Sequence, residues 1–195
     1  MTIDDCRERP CRGLFLRSRL MQNVEFKSEL RDLALARMAC RAKGASLIGE
    51  LRQTDTYFRI PAGRLKKRET EGEPTEWVFY ERPNRIGAKI SSFVIYSEQR
   101  ALERFGVAPL PVWVVVRKVR ELWLIANARI HLDRVEGLGT FLEFEALVSR
   151  DCSVEAAREC VAELREAFGP CLGEAIDCSY SDLLAREQEA PTGPM

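Results

Sequence analysis

A single histidine, His131, serves the whole 195-residue chain, and none of its seven cysteines forms a C-x-x-C pair. No zinc site can be assembled from such a set at recognised ligand spacing. The cysteines, at 6, 11, 40, 152, 160, 171 and 178, therefore read as reduced thiols that mostly pack. An excess of one charge is also missing: 30 Lys and Arg stand against 30 Asp and Glu, although charged residues make up 31% of the chain. A formal net charge of zero gives no bulk attraction to nucleic acid or to an anionic membrane, so any basic site must be local. No apolar run approaches the length that spans a bilayer. Residues 1–20 hold Arg7, Arg9, Arg12, Arg17 and Arg19 without the continuous apolar stretch of a secretory signal. The expected address is the cytoplasm, with no nucleic-acid or membrane partner. Internal repeats and linkers are lacking as well, so one large domain is expected.

What the chain does have is period-two alternation. Strands are predicted at about 21–30, 47–59, 64–70, 76–82 and 89–97, then two long strands between 112 and 135 meeting near Arg120 and Glu121, then 140–149. Helices are predicted for "RDLALARMACRAKG", which stops at Gly44, for "EQRALERFG", and for "VEAARECVAELREAFG", which Ser153 caps and Gly169-Pro170 ends. The final "EQEAPTGPM" has the composition of a disordered tail. Eight strands, mostly antiparallel and separated by turn signals, indicate an α+β protein whose sheet closes into a barrel or curls strongly.

Successive side chains of a strand point to opposite faces, and here nearly every strand has one charged and one apolar face. Glu143 and Glu145 lie opposite Leu142 and Phe144, Lys118 shares a face with Arg120, and Lys66 shares one with Arg68. Water on the charged face explains each strand taken singly. Taken together the charged faces can instead converge inside a barrel, with the apolar faces outside beneath helices. Collected there are the acids Glu25, Asp133, Glu143 and Glu145 and the bases Lys27, Lys66, Arg68, Arg82, Lys118 and Arg120. An unpaired buried ion costs several kcal/mol even after relaxation, on the order of 5, so such an interior must be wet and occupied. Bases match polyphosphate oxygens, while clustered carboxylates suit Mg²⁺ or Mn²⁺, which bridges phosphates. Acids and bases in one cavity fit a metal-triphosphate.

The stretches "NVEFK" (23–27), "GRLKKRE" (63–69), "VRKVR" (116–120), "HLDRVEGLGTFLEFE" (131–145) and "SYSDLL" (179–184) resemble the CYTH family, the triphosphate tunnel metalloenzymes, which include class IV adenylate cyclases and thiamine triphosphatases. The resemblance implies an eight-stranded antiparallel closed tunnel over residues 21–184 with helices packed outside, preceded by an extension (1–20) and followed by a disordered tail (185–195). It places Glu25 and Lys27 on the second Glu and the Lys of the E-x-E-x-K signature. Glu143 and Glu145 fall on the late acidic pair, with Asp133 upstream, as metal ligands. Lys66, Arg68, Lys118 and Arg120 match the phosphate-binding bases. Two positions depart from the pattern: Asn23 stands at the first signature Glu, and "FYERP" has Glu81 and Arg82 where the family often has Lys before Gly-Pro. Arg82 is the candidate to supply the missing charge. A chain beginning at Met21 is expected to fold and bind ligand as the full chain does.

The implied activity is divalent-metal-dependent hydrolysis of tripolyphosphate or of a nucleoside or thiamine triphosphate, with Lys27 as the candidate catalytic residue. Cyclisation of ATP to cyclic AMP uses the same constellation, and a non-catalytic polyphosphate or nucleotide sensor accounts for Asn23. A lipocalin-like carrier is disfavoured because its interior is apolar. Isolated, His131 reads as a strand residue with a local partner. The partner is a small-molecule triphosphate, and monomer and homodimer both remain open.

Overall fold

The computed structural model describes residues 20–106 and 108–189. The expected extension over 1–20 therefore lies almost entirely outside the described residues, as do the last six residues of the tail. Strands β1 (Met21–Leu30), β2 (Ser46–Phe58), β3 (Arg64–Thr70), β4 (Glu76–Glu81), β5 (Lys89–Ser97), β6 (Val112–Ile125), β7 (Ala128–Val135) and β8 (Gly139–Val148) form one antiparallel sheet in the order β5-β4-β3-β2-β6-β7-β8-β1. Pairing of β1 with β5, from Met21 opposite Phe93 to Glu25 opposite Lys89, closes it. A closed sheet has no long exposed edge, which here would be a row of unpaired backbone groups. A short strand, β9 (Leu172–Ala175), pairs with the end of β1 across an irregularity between Ser28 and Leu30.

Helix α1 (Leu33–Ala42) starts where the Asp32 side chain accepts from the Leu35 amide at 2.9 Å, and it buries Ala36 and Cys40. Helix α3 (Val154–Ala167) is capped likewise by Ser153 and buries Ala157, Val161 and Leu164, one stripe at helical spacing. Both cover the outside of the barrel, packing on Val24, Phe26, Ile130, Leu132, Leu142 and Phe144 in one apolar core. Each such side chain contributes about 1.5–3 kcal/mol by leaving water. Helix α2 (Glu98–Phe105) follows β5, and α4 (Tyr180–Glu189) packs against β6.

Three expectations change. The chain reverses at Ala126-Asn127, with Ala126 at φ 48°, not near Arg120 and Glu121. Those two charges straddle the sheet within β6: Arg120 faces in, while Glu121 is held outside by Arg37 and Arg134. Residues 185–189, expected in the tail, are the second half of α4. That helix begins with a reciprocal cap, Ser179 N–H donating to Asp182 and Asp182 N–H donating to the Ser179 hydroxyl. The ninth strand was not anticipated either; it is four residues long and borders β1 only.

Candidate functional site

Because β1, β2, β3, β6, β7 and β8 alternate in step, their charged sides meet around one cavity. Lining it are Glu25, Lys27, Lys66, Arg68, Arg82, Lys118, Arg120, Glu143 and Glu145. Register explains the grouping: Glu25 lies opposite Glu145, Lys27 opposite Glu143, and Arg120 opposite Asp133.

On one side, β2, β3 and β6 bring three bases onto Asp55, which is fully buried. Lys118 Nζ donates to it at 2.6 Å and Lys66 Nζ at 2.9 Å, while Arg68 binds it through two nitrogens at 2.8 and 3.1 Å. Burial alone would raise the Asp55 pKa, but Arg68, Lys118 and Lys66 together hold it well below the usual carboxylate range. One carboxylate does not balance three cations. At an effective dielectric of about 20, unit charges 4 Å apart interact by about 4 kcal/mol, so the surplus positive charge is a substantial field for an anion. The lysines register that surplus. Burial and the adjacent Arg68 lower Lys66 to about 7, against the opposing pull of Asp55. Lys118 falls to about 8, mainly through burial and with Arg68 and Arg120 contributing, while Asp55 opposes the shift.

On the other side, β1, β7 and β8 gather carboxylates. Glu143 sits 3.2 Å from Lys27 and 3.0 Å from Arg120, and His131 Nδ1 lies 3.5 Å from it. Burial would raise Glu143, yet Lys27, His131 and Arg120 keep it well below its usual value. Glu25 behaves oppositely. Burial raises its pKa, Glu143 and Glu145 add to the rise, and Arg82 and Lys27 oppose it without cancelling it. Glu145 is the least engaged of the three, with Arg129 at 3.9 Å. Ligand atoms of His131, Glu143 and Glu145 lie within 4.8 Å of one another, close enough to share one cation.

Asp133, expected among the metal ligands, does not line this cavity. Two Arg120 nitrogens donate to it at 2.7 and 2.6 Å, and the Tyr180 hydroxyl of α4 donates at 2.8 Å. Held by these three donors, it anchors Arg120 and Tyr180. Burial is outweighed by Arg120, and Asp133 falls to about 2. Tyr180 in turn places its ring 4.0 Å from Lys27 Nζ.

Asp55, Lys89 and Tyr180 were not anticipated. Lys89, fully buried, donates to the Asp177 carbonyl at 3.0 Å and lies 4.0 Å from Glu25. Asp55 shares the inward face of β2 with Gln53 and Tyr57, a parity visible in "QTDTYF" but masked by the threonines on the other face.

The CYTH domain model matches residues 21–176. Among solved structures, the PH1012 protein from Pyrococcus horikoshii is 23% identical with a TM-score of 0.66, the match covering 83% of this chain and 98% of that one. The PH1819 protein of the same organism is 22% identical at a TM-score of 0.60, covering 85% and 99%. HpAC1 from Hippeastrum, described with a dominant triphosphatase activity, is 15% identical at 0.56, covering 85% and 96%. At these identities the likenesses establish the fold. Among curated proteins none matches.

Proposed function

The chain belongs to the CYTH family, and from that premise we propose that it hydrolyses a small-molecule triphosphate with the help of Mg²⁺ or Mn²⁺. One observation carries the reading: a single cavity holds Lys66, Arg68, Lys118 and Arg120 on one side and Glu25, Glu143 and Glu145 on the other. The cavity thus presents an anion-binding wall opposite a cation-binding one.

The carboxylate cluster fits a divalent cation. Glu25 has its pKa raised by burial and by two like charges, so a cation in contact with it relieves a cost already present in the folded protein. Glu143 and Glu145 would supply hard oxygen ligands, with His131 Nδ1 near both and Glu25 opposite Glu145 across the β1–β8 pair. When bound, such an ion neutralises phosphate charge and lowers the pKa of a coordinated water. The protein's own groups do the rest. Lys66, Arg68 and Lys118 are held on Asp55 in advance of the substrate, so phosphate oxygens meet donors that need little reordering. Arg120, fixed by Asp133, reaches Glu143 and so spans the two walls. Lys27 lies between Glu143 and the Tyr180 ring, which supports a role in orienting the phosphoryl group under attack. Arg82 pairs with Glu25 and keeps that carboxylate inside the site. Hydrolysis is also the activity described for HpAC1, which shares the fold.

No helix among the described residues is long and apolar enough to cross a membrane. The free thiols of Cys40, Cys171 and Cys178, all buried, support the cytoplasm as the working compartment.

Incubating the protein with Mg²⁺ or Mn²⁺ and tripolyphosphate, ATP or thiamine triphosphate, and measuring phosphate, pyrophosphate and cyclic AMP, tests the proposal. Metal-dependent release of phosphate without cyclic AMP is the expected result. Cyclic AMP from ATP would make the protein a cyclase, and tight binding with no turnover would make it a sensor.

A further inference from the structure

The inward face of β7 carries Arg129, His131 and Asp133, while Ile130 and Leu132 point the other way, into the core beneath the helices. The three inward residues do different things. Arg129 is half exposed beside Glu145. Asp133 is taken by Arg120 and Tyr180. His131, between them, is 3% exposed and lies opposite Glu143 in the β7–β8 register. Its Nδ1 stands 3.5 Å from a Glu143 oxygen and 3.9 Å from a Glu145 oxygen.

Those spacings are long for hydrogen bonds, whose N···O distances are about 2.7–3.2 Å. They are nearer to what a shared ion imposes. Two donor atoms bound at about 2.1 Å stand about 3.0 Å apart at a right angle and about 3.4 Å apart at the tetrahedral angle. Glu143 also has no shortage of positive partners, with Lys27 at 3.2 Å and Arg120 at 3.0 Å. An imidazole is therefore not needed to balance that carboxylate. What it adds is a nitrogen donor where two carboxylates already converge, with all three ligand atoms within 4.8 Å of one another.

We propose that His131 binds the tunnel's divalent cation directly through Nδ1, forming with Glu143 and Glu145 a mixed nitrogen and oxygen site that takes a first-row transition ion such as Mn²⁺ in preference to Mg²⁺. The proposal rests on the reading of the carboxylate cluster as a cation site and adds to it a ligand and a selectivity. Mg²⁺ demands oxygen ligands and gives up its water reluctantly, whereas imidazole nitrogen suits the first-row transition ions. With Asp133 occupied, His131 is what β7 contributes to the ion.

Because His131 is the only histidine in the sequence, isotope labelling identifies its nitrogen without ambiguity. Pulsed EPR of Mn²⁺ bound to the tag-free full-length protein should show a ¹⁴N coupling that becomes a ¹⁵N pattern when the protein is made with ¹⁵N-histidine. In calorimetric titrations His131→Gln should bind Mn²⁺ about tenfold or more weakly, with little change for Mg²⁺. The labelling experiment needs no substitution, so it carries the test if His131→Gln does not fold. Bound Mn²⁺ without histidine coupling, or equal losses for the two ions in His131→Gln, overturns the proposal and leaves an all-oxygen cation site standing. Wild-type protein that binds neither ion overturns the cation site itself.

Discussion

Across the tunnel from one another stand two walls built by the same alternation. The wall from β2, β3 and β6 carries Asp55, Lys66, Arg68, Lys118 and Arg120, each tied to a partner of opposite sign. The wall from β4 and β5 carries Val78, Ser91, Phe93 and Ile95, with the unpaired oxygen of Asn23 beside it. Lys118 and Asn23 are equally buried, each 5% exposed, although Ile95 on the second wall is 37% exposed. What differs is how the protein meets the cost of burial. Ions cannot be left alone in the interior, so the charged wall is preassembled into pairs. Neutral groups cost less to leave unpaired than ions do, so the other wall is built without such pairs.

That contrast is broken most directly at Asp55. Asp55→Asn leaves Lys66, Arg68 and Lys118 without their shared counter-ion, and about 3–5 kcal/mol of stability should be lost in urea titrations. Saturating tripolyphosphate should restore much of it, because the ligand takes the place of the carboxylate. Ser91→Ala on the neutral wall should cost less than about 1 kcal/mol in the same titration.

Glu145→Gln separates charge used for function from charge used for stability. Its nearest ionisable neighbours, Arg129 and His131 Nδ1, each lie at 3.9 Å, and Arg129 is half exposed. Metal-stimulated turnover should fall by about 100-fold or more while the melting temperature stays within about 2 °C. Unchanged metal dependence would remove Glu145 from the cation site.

The lysines sharpen the comparison through pH. With Lys66 near 7 and Lys118 near 8, both lose their protons between pH 7 and 9 in the free protein. Affinity for tripolyphosphate should therefore fall over that window, by up to about tenfold per pH unit for each lysine above its pKa. Stability of the ligand-free protein should move the other way. The unfolded chain keeps these lysines protonated up to about pH 10, so it binds more protons than the native state, and native stability rises as pH climbs from 7. Parallel trends in the two quantities would contradict the assignment.

A further small effect concerns the helix packed against β6. Asp182→Ala removes the cap on Ser179 and the 3.1 Å ion pair with Arg64. A loss of about 1 kcal/mol is expected, with proteolysis near α4 enhanced.

Much of the fold was legible residue by residue. The opposition of Glu143 and Glu145 to Leu142 and Phe144, and of Lys118 and Arg120 to the residues between them, is a local consequence of the extended backbone. The structure places the first set in the tunnel and Leu142 and Phe144 beneath the helices. Asp55 was hidden because Thr54 and Thr56 make the opposite face polar too, and alternation without contrast names no inside. Lys89 was hidden as a lone cation in the run Ala88-Lys89-Ile90, where nothing local announces complete burial. The reversal at Ala126-Asn127 has neither glycine nor proline, and the charges at 120 and 121 imitated a turn because they alternate across the sheet.

By itself, then, the sequence determined which side chains share a face, because period two is a property of each strand's own backbone. Only the tertiary structure decided which faces meet. Asp55 and Lys118 are 63 residues apart, and Glu25 and Arg82 are 57 apart. Their pairing depends on the register and closure of the whole barrel, and the same register brings Arg120 onto Asp133.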